Sequence, residues 1–383
     1  MDSPSRPSDS LSSFAQRRLE AIEGLSLRRV LAETDRNGPA RVRREGRELI
    51  SFSCNDYLDL SHHPKVREAA KEAIDRYGAG AGASRLITGN HPLYSTLEER
   101  LARIKGTEAA MVFGSGYLAN LGIVPALLGG RDVILMDELC HACMHAGAKL
   151  SGAKVETFAH NDPEALADLL QRHRAGAGHA LVLTETVFSM DGDLAPLAAF
   201  SHLADRFDAW LMTDDAHGLG LVKPDPAARV PLQMGTLSKA IGAYGGYLCA
   251  TRPVVEFVKN RAQSFIYTTG LPPAAVGAAI AALDLMEGDA TLRAAPLVRA
   301  RQFARLMNLP DAQSSIVPVV IGDEKKALAA SRALEDDGFL VTAIRPPTVP
   351  RGTARLRFTF SAAHGEADIE RLVASLHRLG IGA

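Results

Sequence analysis

Two short runs carry side chains suited to covalent chemistry on a carbonyl or an amine. Asp214-Asp215-Ala216-His217-Gly218 follows directly on the apolar Trp210-Leu211-Met212, and Gly235-Thr236-Leu237-Ser238-Lys239 leads into a glycine-rich stretch through Gly246. A lysine amine attacks carbonyl carbon, a carboxylate stabilises a neighbouring cation, and an imidazole moves protons near neutral pH. Each residue alone has a plainer explanation: a solvated lysine, a capping aspartate, a packed histidine. Their combination does not. Ionisable residues at the carboxyl end of a buried strand are where open α/β sheets hold ligands. Small and hydroxylated neighbours of Lys239 let a bulky, phosphorylated ligand come close.

A lysine, an aspartate and a nearby histidine suit pyridoxal 5′-phosphate. That cofactor needs an amine for its Schiff base and a carboxylate against its pyridinium nitrogen. Its phosphate needs hydroxyls and helix N-terminal N–H groups, which Ser115-Gly116-Tyr117 would supply after the apolar run 111–113. The Gly78-Ala79-Gly80-Ala81-Gly82 loop follows a helical pattern and no strand, which counts against a dinucleotide loop and a general dehydrogenase. Cys140-His141-Ala142-Cys143-Met144-His145 has the look of a zinc or redox cluster. No second Cys-x-x-Cys exists to complete a zinc site, and Met144 stands where a haem attachment needs histidine. Packing thiols and no metal are the expectation.

These residues need a scaffold, and the pattern supplies one. Apolar strand-like runs at 111–113, 133–136, 180–183 and 210–213 alternate with helical patterns. Pro64 and Pro92 sit at helix starts, while Gly78 and Gly106 follow helix ends. Such alternation predicts a mostly parallel sheet covered on both faces, an α/β fold. Upstream, Leu11, Phe14, Ala15, Leu19, Ile22 and Leu25 recur at helical spacing on an arm that also carries Arg17, Arg18, Arg28 and Arg29. Beyond a buried helix at 273–286 come helices near 292–307 and 324–337, strands near 316–321 and 355–360, and a last helix near 365–379. The expected organisation is an arm over 1–46, a large domain over 47–285 and a smaller α+β domain over 286–383.

Composition narrows the class. Lys+Arg is 43 and Asp+Glu is 44, so bulk charge attaches the chain neither to nucleic acid nor to an acidic membrane. No apolar run reaches the length of a spanning helix, and the first ten residues, read as a solvated tail, lack the apolar core of a signal peptide. Four cysteines make no disulfide framework. A cytoplasmic location is expected.

The sequence resembles the α-oxoamine synthase family of fold type I pyridoxal-phosphate transferases from about residue 20 to its end. The resemblance is carried by Ser53-Cys54-Asn55-Asp56-Tyr57-Leu58, Phe188-Ser189-Met190-Asp191-Gly192-Asp193, the two runs described first, and Gly352-Thr353-Ala354-Arg355-Leu356-Arg357. The run Ile344-Arg345-Pro346-Pro347-Thr348-Val349-Pro350 points to the biotin-synthesis branch. The resemblance implies a homodimeric acyltransferase that condenses L-alanine with a pimeloyl thioester, on coenzyme A or a carrier protein, releasing carbon dioxide. It implies that Lys239 forms the cofactor's Schiff base, Asp214 pairs with the pyridinium nitrogen, His217 bonds the phenolic oxygen, and His141 stacks on the ring and faces the substrate. Ser189, Gly116, Tyr117 and Thr236 would also bind the cofactor, with Thr236 on its phosphate. Arg28, Thr348 and Arg357 would hold substrate, Arg357 gripping the amino acid's carboxylate bidentately.

Sister activities that use glycine and another acyl-CoA remain open, as does a non-catalytic partner subunit, although Lys239 argues against the latter. Two segments depart from the family pattern. Cys140 and Cys143 stand where serines are usual, and residues 221–234, with Lys223-Pro224-Asp225-Pro226, form a shorter loop that puts the acyl carrier's contacts in question.

Overall fold

The computed structural model describes residues 7–25 and 27–382. Contacts divide the chain into two units. The larger contains residues 54–317 and 359–365, and the smaller the described residues up to 53 with 318–358 and 366–382.

The larger unit is built on seven strands: β1 (Ala109–Phe113), β2 (Val133–Asp137), β3 (Lys154–Phe158), β4 (Ala180–Glu185), β5 (Trp210–Asp214), β6 (Leu232–Thr236) and β7 (Gly246–Ala250), in the order β1-β7-β6-β5-β4-β2-β3. Strands β2 to β6 pair in parallel. Only β7 is reversed, antiparallel to both β6 and β1. Six strands therefore open their carboxyl ends on one edge. Both faces are covered, as a parallel sheet requires. Met111, Phe113, Ile134, Met136, Leu181 and Leu183 pack on one side with residues of the helices Gly116–Leu127 and Ala142–Ser151. Val133, Leu135, Val182 and Leu211 face the other way, against Leu166, Leu170 and Phe200.

The expected α/β class is the architecture observed. Four of the seven strands match the apolar runs read from the sequence. Strand β3 is an edge strand with Lys154 and Val155 exposed, so it lacks a continuous apolar signal. Strands β6 and β7 border the glycine-rich stretch that obscures them.

In the smaller unit, Asp35–Gly38, Arg41–Arg44 and Arg47–Ser51 form a sheet completed by Phe339–Leu340, which pairs in parallel with the last of them. That pairing joins the segment after the arm to the C-terminal one, and contacts group the described residues up to 53 with 318–358 and 366–382. The helix Ala290–Leu306 groups instead with the larger unit, because it packs on the helix Pro273–Gly288. The arm's helix spans Pro7–Gly24 and starts before residue 11, with proline at the first helical position. The tail expected over 1–10 lies, for residues 1–6, outside the described residues.

Backbone proximity at one junction is tight enough to test. A Cβ built on Gly246 would lie 2.4 Å from the Ser115 carbonyl oxygen and 2.6 Å from the Gly116 nitrogen. Gly246→Ala is expected to destabilise the chain by about 1–3 kcal/mol in denaturant unfolding. The control is Gly176→Ala, whose Cβ meets nothing within 4 Å and whose stability should not fall comparably.

Candidate active site

At the end of β5, Asp214 is buried, and its two oxygens take separate donors. Oδ1 accepts from the Ala216 backbone N–H at 3.0 Å and Oδ2 from the Asn120 amide at 2.9 Å. Burial pushes its carboxyl above the usual range, against the pull of Lys239, Asn120 and the Ala216 N–H. Its register partner at the end of β4, Glu185, is also buried. Burial and the Asp214 charge push the Glu185 carboxyl well up, although backbone N–H groups of His141 and Ser189 bond to it. Glu185 Oε1 is buried and has no hydrogen-bond partner among the described residues.

One strand over, β6 runs into Lys239. Its Nζ lies 2.7 Å from His217 Nε2, and His217 Nδ1 lies 2.7 Å from the Tyr57 hydroxyl. Tyr57 donates its single proton to Asn55 Oδ1 at 3.1 Å, so its oxygen accepts from His217 Nδ1–H. The bare Nε2 then accepts from the lysine amine. Thr236 and Ser238 hydroxyls are 2.8 Å apart, and the Thr236 hydroxyl donates to the Gly245 carbonyl. Across from them, Ser115 caps the helix Gly116–Leu127 by accepting from Leu118 N–H. A Cβ on Gly116 would sit 3.4 Å from Thr236 Cβ, so glycine lets the helix start close to the Thr236 turn. Tyr117, next in line, is half exposed.

His141 caps the helix Ala142–Ser151 through Nδ1, which accepts from Cys143 N–H. It is near enough to Asp214 and Lys239 to feel both charges, and burial holds its pKa below the usual imidazole value. Ser189 is buried just beyond β4. The larger unit thus gathers Asp214 and Thr236 on strand ends, Gly116 at a helix start, and Lys239, His217, His141 and Ser189 on the loops at one edge of the sheet.

A second cluster braces the loops of this edge. Asp137, fully buried at the end of β2, meets His160 Nδ1 at 3.0 Å, while His160 Nε2 meets Asp193 at 2.8 Å. Burial opposes the imidazolium, yet hydrogen bonds and charges from Asp137 and Asp193 raise His160 to about 10. This ties the strand carrying the His141 loop to the Phe188–Asp193 loop that carries Ser189.

Arg28, Thr348 and Arg357 belong to the smaller unit. Arg28 pairs with Glu23 at 2.9 Å in solvent, and Thr348 is exposed. Arg357 is buried on the strand Ala354–Thr359, opposite Thr342, and so is not a solvated strand residue. Of the two unusual cysteines, Cys140 donates to the Leu183 carbonyl and Cys143 lies between His141 and Asn120. The short 221–234 segment borders a cavity of about 570 Å³ beside the Lys105–Asp215 ion pair, and neither Lys239, His217 nor Asp214 lines it.

Sequence reasoning missed Tyr57, Asn120, Glu185 and the His160 cluster as contributors. Glu185 follows the same rule as Asp214, an acid closing a buried strand. Asn120 was visible as a polar residue inside an otherwise apolar helix.

The chain matches known proteins along nearly its whole length. Residues 47–376 match the family model for aminotransferase class I and II. An 8-amino-7-oxononanoate synthase from Methylobacterium sp. (strain 4-46) is 58% identical over 380 residues, 99% of this chain and 100% of the relative. Another from Methylobacterium radiotolerans is 59% identical, covering 97% of this chain and 99% of the relative. Among solved structures, a serine palmitoyltransferase from S. paucimobilis with bound PLP-myriocin aldimine superposes with a TM-score of 0.89 at 28% identity, covering 97% of this chain and 99% of that one. The 8-amino-7-oxononanoate synthase of Francisella tularensis gives 0.74 at 25% identity, covering 87% and 98%.

The His160 cluster yields a pH prediction. A histidine whose pKa rises from 6.5 to about 10 on folding stabilises the folded state fully below pH 6.5, and this contribution disappears as pH rises through 10. The stability gap between the wild type and His160→Gln should therefore be largest in acid and shrink steadily from neutral pH to pH 10. Denaturant unfolding across that range checks it, and a gap that widens with pH would contradict the assignment.

Proposed function

The chain belongs to the aminotransferase class I and II family, and we propose that it joins L-alanine to a pimeloyl thioester, releasing carbon dioxide and the free thiol carrier and forming 8-amino-7-oxononanoate for biotin synthesis. Pyridoxal phosphate is the cofactor of this acyltransferase, and when bound it supplies an electron sink for charge developing at the amino acid's Cα. The observation that carries the reading is the Lys239–His217 contact at 2.7 Å beside the buried, doubly hydrogen-bonded Asp214.

The residues present fit that cofactor. Asp214 is a carboxylate whose burial disfavours its charge, and a pyridinium nitrogen is the kind of cation that restores it. Gly116 and Tyr117 offer helix N-terminal N–H groups and Thr236 a hydroxyl for a phosphate, with Ser189 and His217 as further contacts. Lys239 would hold the cofactor through its amine, and its Nζ, kept in place by His217 Nε2, would serve as the base for the Cα proton. His141 assists the thioester carbonyl. Arg357 grips the amino acid's carboxylate, with Arg28 and Thr348 as further substrate contacts.

The protein is a cytoplasmic homodimer in this reading. Leu11, Phe14, Leu19 and Ile22 on the arm's helix are all exposed within a single chain, which supports their cover by a second copy. No helix among the described residues is long and apolar enough to cross a membrane.

The test uses cofactor-loaded protein with alanine, glycine or serine, each paired with pimeloyl-CoA, pimeloyl-carrier protein, succinyl-CoA or acetyl-CoA. Alanine with a pimeloyl donor should give the highest kcat/KM. Its margin over glycine is expected to be modest, since one methyl is worth only ~1–3 kcal/mol. Acyl chains without the terminal carboxylate should lose more, because a buried group built for it is left unpaired. Glycine with acetyl-CoA or succinyl-CoA as the best pair would move the chain to a sister activity. Lys239→Ala should abolish turnover and the visible absorbance of lysine-bound cofactor; full activity would overturn the mechanism.

A further inference from the structure

Cys143 joins two of the groups assigned above. Its sulfur lies 2.8 Å from His141 Nδ1 and 3.0 Å from Asn120 Nδ2, and the same Asn120 nitrogen donates to Asp214 Oδ2 at 2.9 Å. The Asn120 amide is oriented by the carboxylate, since the opposite flip would set Oδ1 against it. With its N–H group directed at the thiol, Asn120 takes one sulfur lone pair, and the sulfur meets His141 through either its S–H or its second lone pair. The Cys143 backbone N–H also points at Nδ1, 3.3 Å away. A proton on Nδ1 would confront that N–H.

We infer that Cys143 is a positioning residue that, by donating S–H to His141 Nδ1 while accepting from Asn120, holds His141 in the tautomer with its proton on Nε2. His141–Cys143–Asn120–Asp214 is then one hydrogen-bonded chain, running from the imidazole that serves the acyl carbonyl to the carboxylate that serves the cofactor's nitrogen. The inference rests on the functional reading for what His141 and Asp214 do, and on this geometry alone for the tautomer. The surroundings agree with neutral partners. Burial, then the Asp214 charge, pushes the Cys143 thiol up to about 12, against the Asn120 bond and Lys239. Burial pulls the His141 imidazole down, with Lys239 and His145 adding to that and Asp214 opposing it. Cys140 is outside the chain, its thiol committed to the Leu183 carbonyl.

A fixed Nε2–H makes His141 a hydrogen-bond donor to an acyl carbonyl oxygen. A ring free to exchange tautomers would face that oxygen part of the time with a bare nitrogen.

The experiment measures the ring-nitrogen shifts of His141 by long-range ¹⁵N–¹H correlation in cofactor-free full-length protein, assigned by the signal lost in His141→Gln. Wild type, Cys143→Ser and Cys140→Ser should each show protonated Nε2 and bare Nδ1 at neutral pH. Cys143→Ala, which leaves Nδ1 only the longer backbone N–H contact at 3.3 Å, should show a larger share of the other tautomer than the wild type, and when loaded should lose roughly tenfold in kcat with little change in KM for alanine. Cys143→Ser should restore both, because its hydroxyl donates in the thiol's place. A proton on Nδ1 in the wild type, or a Cys143→Ala protein with an unchanged single tautomer and unchanged kcat, overturns the inference. The wild-type spectrum decides the matter even where Cys143→Ala fails to fold. It also needs neither cofactor nor turnover, so it stands apart from failure of the functional reading, which the substrate comparison reports.

Discussion

Three carboxyl groups buried at the ends of neighbouring parallel strands constrain everything around them. Asp137, Glu185 and Asp214 close β2, β4 and β5, and none exposes more than 4% of its surface. A carboxyl in that setting must be given donors, matched to a cation or left neutral. Each case occurs here. Asp137 takes His160 as an imidazolium and the N–H groups of Leu139 and Asn161. Glu185, pushed toward its neutral form by burial and by Asp214, receives the backbone of His141 and Ser189. Asp214 receives Asn120 and Ala216. Satisfying the acids fixes the loops, and the loops are what carry the functional side chains.

The direction of the strands makes that concentration possible. Parallel pairing brings successive carboxyl ends to one edge, so acids far apart in sequence become neighbours in register, as Glu185 and Asp214 are. The single reversed strand, β7, has a different task. It wedges between β1 and β6 and brings Gly246 against Ser115 and Gly116, holding the start of the helix Gly116–Leu127 near the Thr236 turn. Glycine is required there for space and not for its backbone angles, because Ser115 backbone atoms occupy the position a side chain would take.

Cys140 and Cys143 occupy different surroundings. A thiol is a weaker donor than a hydroxyl, but the Cys143 thiol is buried and lies within reach of both Asn120 and His141. Cys140, three residues away on the same turn, packs with a backbone carbonyl instead. The pair therefore divides into one thiol in the polar network and one in the core. Residues 221–234, by contrast, border a cavity beside Lys105 and Asp215 that none of Lys239, His217 and Asp214 lines.

How much of this was legible without coordinates follows from the range of the forces involved. Periodicity and punctuation are local, so the alternation of strands and helices, the proline and glycine boundaries, and the candidacy of Lys239, Asp214 and His217 could be read from residue types and spacing. Edge strand β3, and β6 and β7 beside the glycines, could not, because their burial pattern is set by neighbours in the sheet. Nor could the grouping of residues up to 53 with the C-terminal segments, within which Arg47–Ser51 pairs with Phe339–Leu340 nearly three hundred residues on. The same holds for the site. Sequence named the lysine, the acid and the histidines, but Asn120, Tyr57, Glu185 and His160 matter only through contacts between strands and helices distant in the chain. Hydrogen bonds act over about 3 Å, and only the tertiary fold decides which groups come within that reach.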